Sequence, residues 1–107
     1  MSDRQHHENR RDQAPASAVT LYWRPWCPYC TRLRWQLRRA RLPVREVNIW
    51  SDAAAAARVR AIANGDETVP TVTLGPVALV NPTRAQVLAA VRAHAPQLLG
   101  QDGHDQR

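Results

Sequence analysis

The first 17 residues show no apolar period, and the pattern begins at residues 19–23, Val-Thr-Leu-Tyr-Trp. This β-branched and aromatic run, bounded by Pro25, predicts a strand. Cys30, Leu33, Leu37 and Ala40 then fall at helical spacing, with Arg32, Arg34, Arg38 and Arg39 on the other faces. That stripe predicts an amphipathic helix that stops before Pro43 and leaves Trp35 exposed. Residues 44–49 alternate well enough for a second strand, and Ser51 or Asp52 can cap a helix over 53–63 ending at Asn64-Gly65. Two short runs, 71–74 and 77–80, are separated only by Gly75-Pro76. So short a gap fits a hairpin and forbids a crossover helix, so the pair is antiparallel. Asn81 can cap a last helix with Pro82 in its first turn and Val87, Leu88, Val91 and Ala95 on its inner face.

The expected order is β-α-β-α-β-β-α, an α/β domain over residues 18–96. Residues 1–17 read as a disordered tail, and 97–107, rich in Gly, Gln and Asp, as a flexible tail that frays. A chain of 107 residues holds one core rather than two. Its apolar runs fall far short of the roughly 18 residues a bilayer span needs. The polar, charged first residues do not make a secretory signal, so a cytoplasmic location is expected.

Charge changes this picture near the first helix. The net charge is +6, every basic side chain is Arg, and seven of them (24, 32, 34, 38, 39, 41, 45) lie between Arg24 and Arg45 with no acid among them. With Trp23, Trp26 and Trp35 interleaved, such a patch can serve nucleic acid. No nucleic-acid motif accompanies it, so the preferred reading is a solvated face that steers acidic partners.

The two cysteines sit in Cys27-Pro28-Tyr29-Cys30, where a bridge would close a tiny loop and constrain the unfolded chain little. His6, His7, His94 and His104 lack ligand spacing to them, so no metal site is assigned. Redox chemistry is the better reading. Exchange requires a thiolate, and an ordinary thiol with a pKa of about 8.5 is only a few per cent ionised at neutral pH. At the helix's amino end, unpaired N–H groups and the dipole favour a sulfur anion on Cys27. Hydrogen bonds from the Cys30 N–H or thiol must add to this, and Arg24, three residues upstream, is the candidate cation. Cys30 lies one turn on, toward the inner face, less exposed and less acidic. Cys27 is therefore the expected nucleophile and Cys30 the resolving thiol. Pro28 suits the helix's first turn, and Trp26 flanks the entrance.

The tetrapeptide, with Thr68-Val69-Pro70 about forty residues later in this topological order, resembles the glutaredoxins over roughly residues 18–95. The resemblance implies a thioredoxin fold, a mixed four-stranded sheet flanked by helices. It implies a dithiol oxidoreductase that reduces mixed disulfides of proteins with a low-molecular-weight thiol, binds no cofactor and acts as a monomer. It also implies a cis bond at Pro70 facing the cysteines, with the Val69 backbone offered to an extended thiol substrate. Many glutaredoxins carry a basic residue where Arg24 stands.

Glutathione-using members usually have a Gly-Gly pair and an acid after the hairpin, which receive the γ-glutamyl group. Here Leu79-Val80-Asn81-Pro82-Thr83 occupies that place. This stretch, with Trp26-Cys27, Tyr29-Cys30 and residues 68–72, resembles the mycoredoxins, which use mycothiol, a cysteinyl pseudodisaccharide without a γ-glutamyl group. Mycothiol therefore ranks ahead of glutathione as the reducing co-substrate. The implied thiol- and substrate-binding residues are Arg24, Trp26, Tyr29, Thr68, Val69, Pro70, Asn81, Pro82 and Thr83. Two departures stand: mycoredoxins commonly have Gly at the position of Pro28 and need no base at Arg24. The alternatives are a redoxin that donates electrons to ribonucleotide reductase and is recharged by thioredoxin reductase, and an iron–sulfur or zinc carrier with Cys27 as a ligand.

Overall fold

The computed structural model describes residues 19–99; the expected 1–17 tail and residues 100–107 lie outside the described residues. Strand β1 (Val19–Trp23) is followed by helix α1 (Pro28–Arg39), strand β2 (Val44–Asn48), a 3₁₀ turn (Ile49–Ser51) and helix α2 (Ala53–Ile62). Strands β3 (Thr71–Leu74) and β4 (Val77–Val80) and helix α3 (Arg84–His94) complete the chain order. The sheet order is β2-β1-β3-β4, with β1 and β2 parallel and the other pairs antiparallel. Register runs from Val19 opposite Val44 to Trp23 opposite Asn48, and Leu21 lies opposite Val72.

The alternation of β1 sends its side chains to two different layers. Val19 and Leu21 join Val72 and Leu74 beneath α1 and α3, packed with Leu33, Leu37, Val87 and Val91. On the other face Tyr22 packs with Ile49 and with Ala55, Ala56 and Val59 of α2. Burying each Leu or Val of these layers is worth about 1.5–3 kcal/mol, so both helices of the larger layer are held by their apolar stripes. One consequence positions the site. The carboxyl ends of β1, β2 and β4 and the amino end of β3 share one edge, which reads in order Trp50, Cys27, Pro70, Asn81.

The arginine-rich segment is less open than its sequence suggests. Glu46 of β2 accepts from Arg34 Nε at 3.1 Å and from Arg38 Nε at 3.0 Å and Nη2 at 2.7 Å. The Arg34 guanidinium also stacks 3.9 Å from the Trp23 ring centroid, tying α1 to β1 and β2. Burial alone would raise the Glu46 carboxyl, but the bonds from Arg38 and Arg34 outweigh it and hold it below its ordinary range.

Four boundaries differ from the sequence pattern. Helix α3 begins after Thr83, not Asn81: Thr83 Oγ1 accepts the Gln86 N–H and the Gln86 side chain accepts the Thr83 N–H, a capping box. Asn81 instead takes φ +52° and donates its N–H to the Pro70 carbonyl at 2.8 Å. β2 stops at Asn48, whose Oδ1 accepts the Trp50 N–H at 2.9 Å and opens the 3₁₀ turn; Asp52 then caps α2, which ends one residue earlier than expected. Beyond Pro96, where fraying is expected, Leu98 is buried in the larger layer and donates its N–H to the Ala95 carbonyl at 2.9 Å. Its apolar surface keeps the chain docked past residue 96.

Candidate active site

Cys27 is the N-cap of α1, and Pro28 occupies the first turn, where a missing N–H costs no intrahelical bond. The Cys27 sulfur accepts the Cys30 N–H at 3.2 Å, satisfying one of the helix's orphan donors. The Cys27 thiol also lies 3.8 Å from the Val69 carbonyl oxygen, and the Val69–Pro70 bond is cis. Segment 68–70 is thus carried against the first cysteine, forty-two residues away in sequence.

Both cysteines are reduced and largely covered: Cys27 is 6% exposed and Cys30 is fully buried. Burial, then the hydrogen bond to Cys27, push the Cys30 thiol up to about 12; the Arg24 backbone N–H opposes them, the charge of Cys27 adds a lesser rise, and the Arg24 guanidinium opposes least. Arg24 therefore acts on Cys30, while its guanidinium donates to the Pro25 carbonyl at 3.2 Å and lies 6.0 Å from the Trp50 ring centroid. Trp26 is 86% exposed, with φ +65°, so it does not cover the core beneath the loop.

A groove of about 530 Å³ runs between the amino-terminal parts of α1 and α3. It brings together Tyr29, Pro70, Asn81, Pro82 and Thr83 of the expected set, while Arg24, Trp26, Thr68 and Val69 do not line it. Arg32 and Gln36 of α1 and Arg84 of α3 line it too, and the sequence reading assigns none of these. Among the described residues no acid does so, and neither Arg32 nor Arg84 forms an ion pair. The helical spacing of Tyr29, Arg32 and Gln36 is the signal that places them on one wall.

The glutaredoxin family profile matches residues 19–77. A protein of Mycobacterium tuberculosis H37Rv named as a glutaredoxin is 39% identical over 74 residues, 68% of this chain and 88% of its own length. Its counterpart in strain CDC 1551 matches to the same extent. The chain belongs to the glutaredoxin family. It is a glutaredoxin-like thiol oxidoreductase, which acts on disulfides with a low-molecular-weight thiol. Solved structures bear out the thioredoxin fold. A glutaredoxin from Archaeoglobus fulgidus superposes with a TM-score of 0.62 at 22% identity, covering 77% of this chain and 92% of its own. Reduced glutaredoxin C1 from Populus tremula x tremuloides gives 0.53 at 22% identity, with 94% and 90% covered. Among the described residues of this glutaredoxin, no helix is long and apolar enough to cross a membrane.

Proposed function

We propose that Cys27 attacks mixed disulfides and Cys30 resolves them, with mycothiol as the preferred reducing thiol. The observation that carries the roles is the bond from the Cys30 N–H to the Cys27 sulfur, beside a Cys30 thiol held at about 12. In exchange, the Cys27 thiolate attacks the small-thiol sulfur of a protein mixed disulfide. The S–S bond breaks, and the protein thiolate leaves and takes a proton from water. A second thiol molecule attacks the adduct on Cys27, freeing Cys27 and forming the thiol's own disulfide. On a protein disulfide, Cys27 attacks one sulfur and the other leaves as a thiolate that takes a proton from water; Cys30 then gives its proton to water and attacks the Cys27 sulfur, which breaks the mixed disulfide and releases the second protein thiolate. Two of the effects that raise the Cys30 thiol, the hydrogen bond and charge of Cys27, fall away once that sulfur is in a disulfide. Two equivalents of small thiol reopen the internal bridge.

The choice of thiol rests on the groove. Arg32 and Arg84 suit a carboxylate, which glutathione has and mycothiol lacks, so those two contacts favour glutathione. Its ammonium opposes them: with no acid on the lining among the described residues and two cations present, it would be desolvated without a partner. A thiol bearing hydroxyls and amides instead pairs with Asn81, Thr83 and Gln36. The test is a coupled assay on one mixed-disulfide substrate with mycothiol or glutathione, each with its own regenerating enzyme and NADPH. Mycothiol should be faster, and Thr83→Asp, which retains an N-cap acceptor, should narrow the gap. Equal or faster turnover with glutathione in the unmodified protein overturns the mycothiol assignment.

A further inference from the structure

We propose that the β2 side of Cys27, formed by Trp50, Trp26 and Arg24, docks the protein that carries the disulfide. Its preferred substrates present an acidic side chain next to an apolar one beside the target cysteine. This rests on the dithiol reading above. Exchange gathers two partners at one sulfur, a small thiol and a protein. The groove lies on the β3 and β4 side of Cys27, and its about 530 Å³ is the size of a small-molecule site. The sheet order puts Trp50 on the opposite side, next to the end of β1.

That side is built for a protein. Trp26 and Trp50 are 86% and 58% exposed, and neither joins an apolar layer of the core. Single exposed apolar residues are ordinary, but here one exposed indole lies 6.0 Å from an arginine and a second immediately precedes Cys27. Both are held by backbone rather than by burial: Trp26 by its φ of +65° before the N-cap, Trp50 by the bond from its N–H to Asn48 Oδ1. The Arg24 guanidinium, 6.0 Å from the Trp50 centroid, has no acid within ion-pair distance among the described residues. Trp and Arg are the residue types that most often dominate protein interfaces, and the charge calls for an acid on the partner.

The experiment uses two short peptides, Cys flanked by Asp-Leu or by Lys-Leu, each joined by a mixed disulfide to the same small thiol, with hydroxyethyl disulfide as control. The full chain should reduce the Asp-Leu peptide about fivefold faster in kcat/KM at low salt, with the lead shrinking as salt rises. Trp50→Ala should lose most of that lead through KM and leave the control rate unchanged. Equal rates for the two peptides, a lead for the Lys-Leu peptide, or a Trp50→Ala variant that keeps the lead or slows the control equally overturns the proposal. If the unmodified protein reduces neither peptide nor control, the dithiol reading falls, and the docking surface with it.

Discussion

At the amino end of α1 the chain aims a backbone N–H at the sulfur of a cysteine that keeps a trace of exposure, whereas one turn further on it buries a cysteine completely. Cys27 and Cys30 are the same residue type, three apart, yet one accepts a hydrogen bond at 3.2 Å and the other is fully buried with its thiol at about 12. Position on a helix, more than sequence neighbourhood, sets the two environments apart, and the proposed roles rest on that separation. Burial disfavours the charged form, and a free N–H favours it.

The largest expected effect breaks the comparison outright. Cys27→Ser should abolish exchange on every disulfide, while Cys30→Ser keeps turnover of low-molecular-weight mixed disulfides and loses only the reduction of protein disulfides. Steady-state rates of the two variants on a small mixed disulfide check this, and equal inactivity would remove the distinction between the sulfurs.

A pH scan of stability sharpens it. The Cys30 thiol titrates near 12 in the fold and near 8.5 in the unfolded chain. Above pH 8.5 the unfolded state therefore holds fewer protons. The contribution is whole below about pH 8.5 and is lost as pH rises toward 12. Reduced wild-type protein should lose Tm between pH 8.5 and 11 more steeply than reduced Cys30→Ser. Parallel curves would contradict the buried-thiol account.

The smallest effect concerns the far end of α1. Glu46→Gln leaves Arg34 and Arg38 without a charged partner and should cost about 1 kcal/mol or less, since the network is partly open to solvent. That corresponds to at most roughly 4–8 °C in Tm for a domain of this size. Because the Glu46 carboxyl is held low, the loss should be present at neutral pH and vanish as pH falls through its titration. Exchange rates should not move. A loss of activity at constant fold would mean that this ion cluster reaches the cysteines.

The strands, the three helices and the hairpin were legible because each has a local signal: an apolar period, a cap, or a two-residue Gly75-Pro76 connection in which Gly75 takes φ +59°. The cysteine pair was legible for the same reason. What was not legible depends on contacts between distant segments. Asn81 and Thr83 are both good caps by type; the Thr83–Gln86 capping box is a local signal for the second, whereas the bond that draws the Asn81 N–H to Pro70 needs the two segments to meet. Glu46 stands one residue past the acid-free segment, so its capture of Arg34 and Arg38 requires the α1–β2 packing. Arg32 and Arg84 are fifty-two positions apart (84 − 32) and meet only across the groove. Leu98 follows Pro96 in a polar context, without a period to mark it as core.

On the proposed division of roles, Cys27 reacts first and Cys30 waits. Reduced protein treated with limiting iodoacetamide at neutral pH, then digested and mapped by mass spectrometry, tests it directly. Alkylation is expected at Cys27 with Cys30 unmodified; label found first or equally on Cys30 would reverse the proposed order of the two thiols.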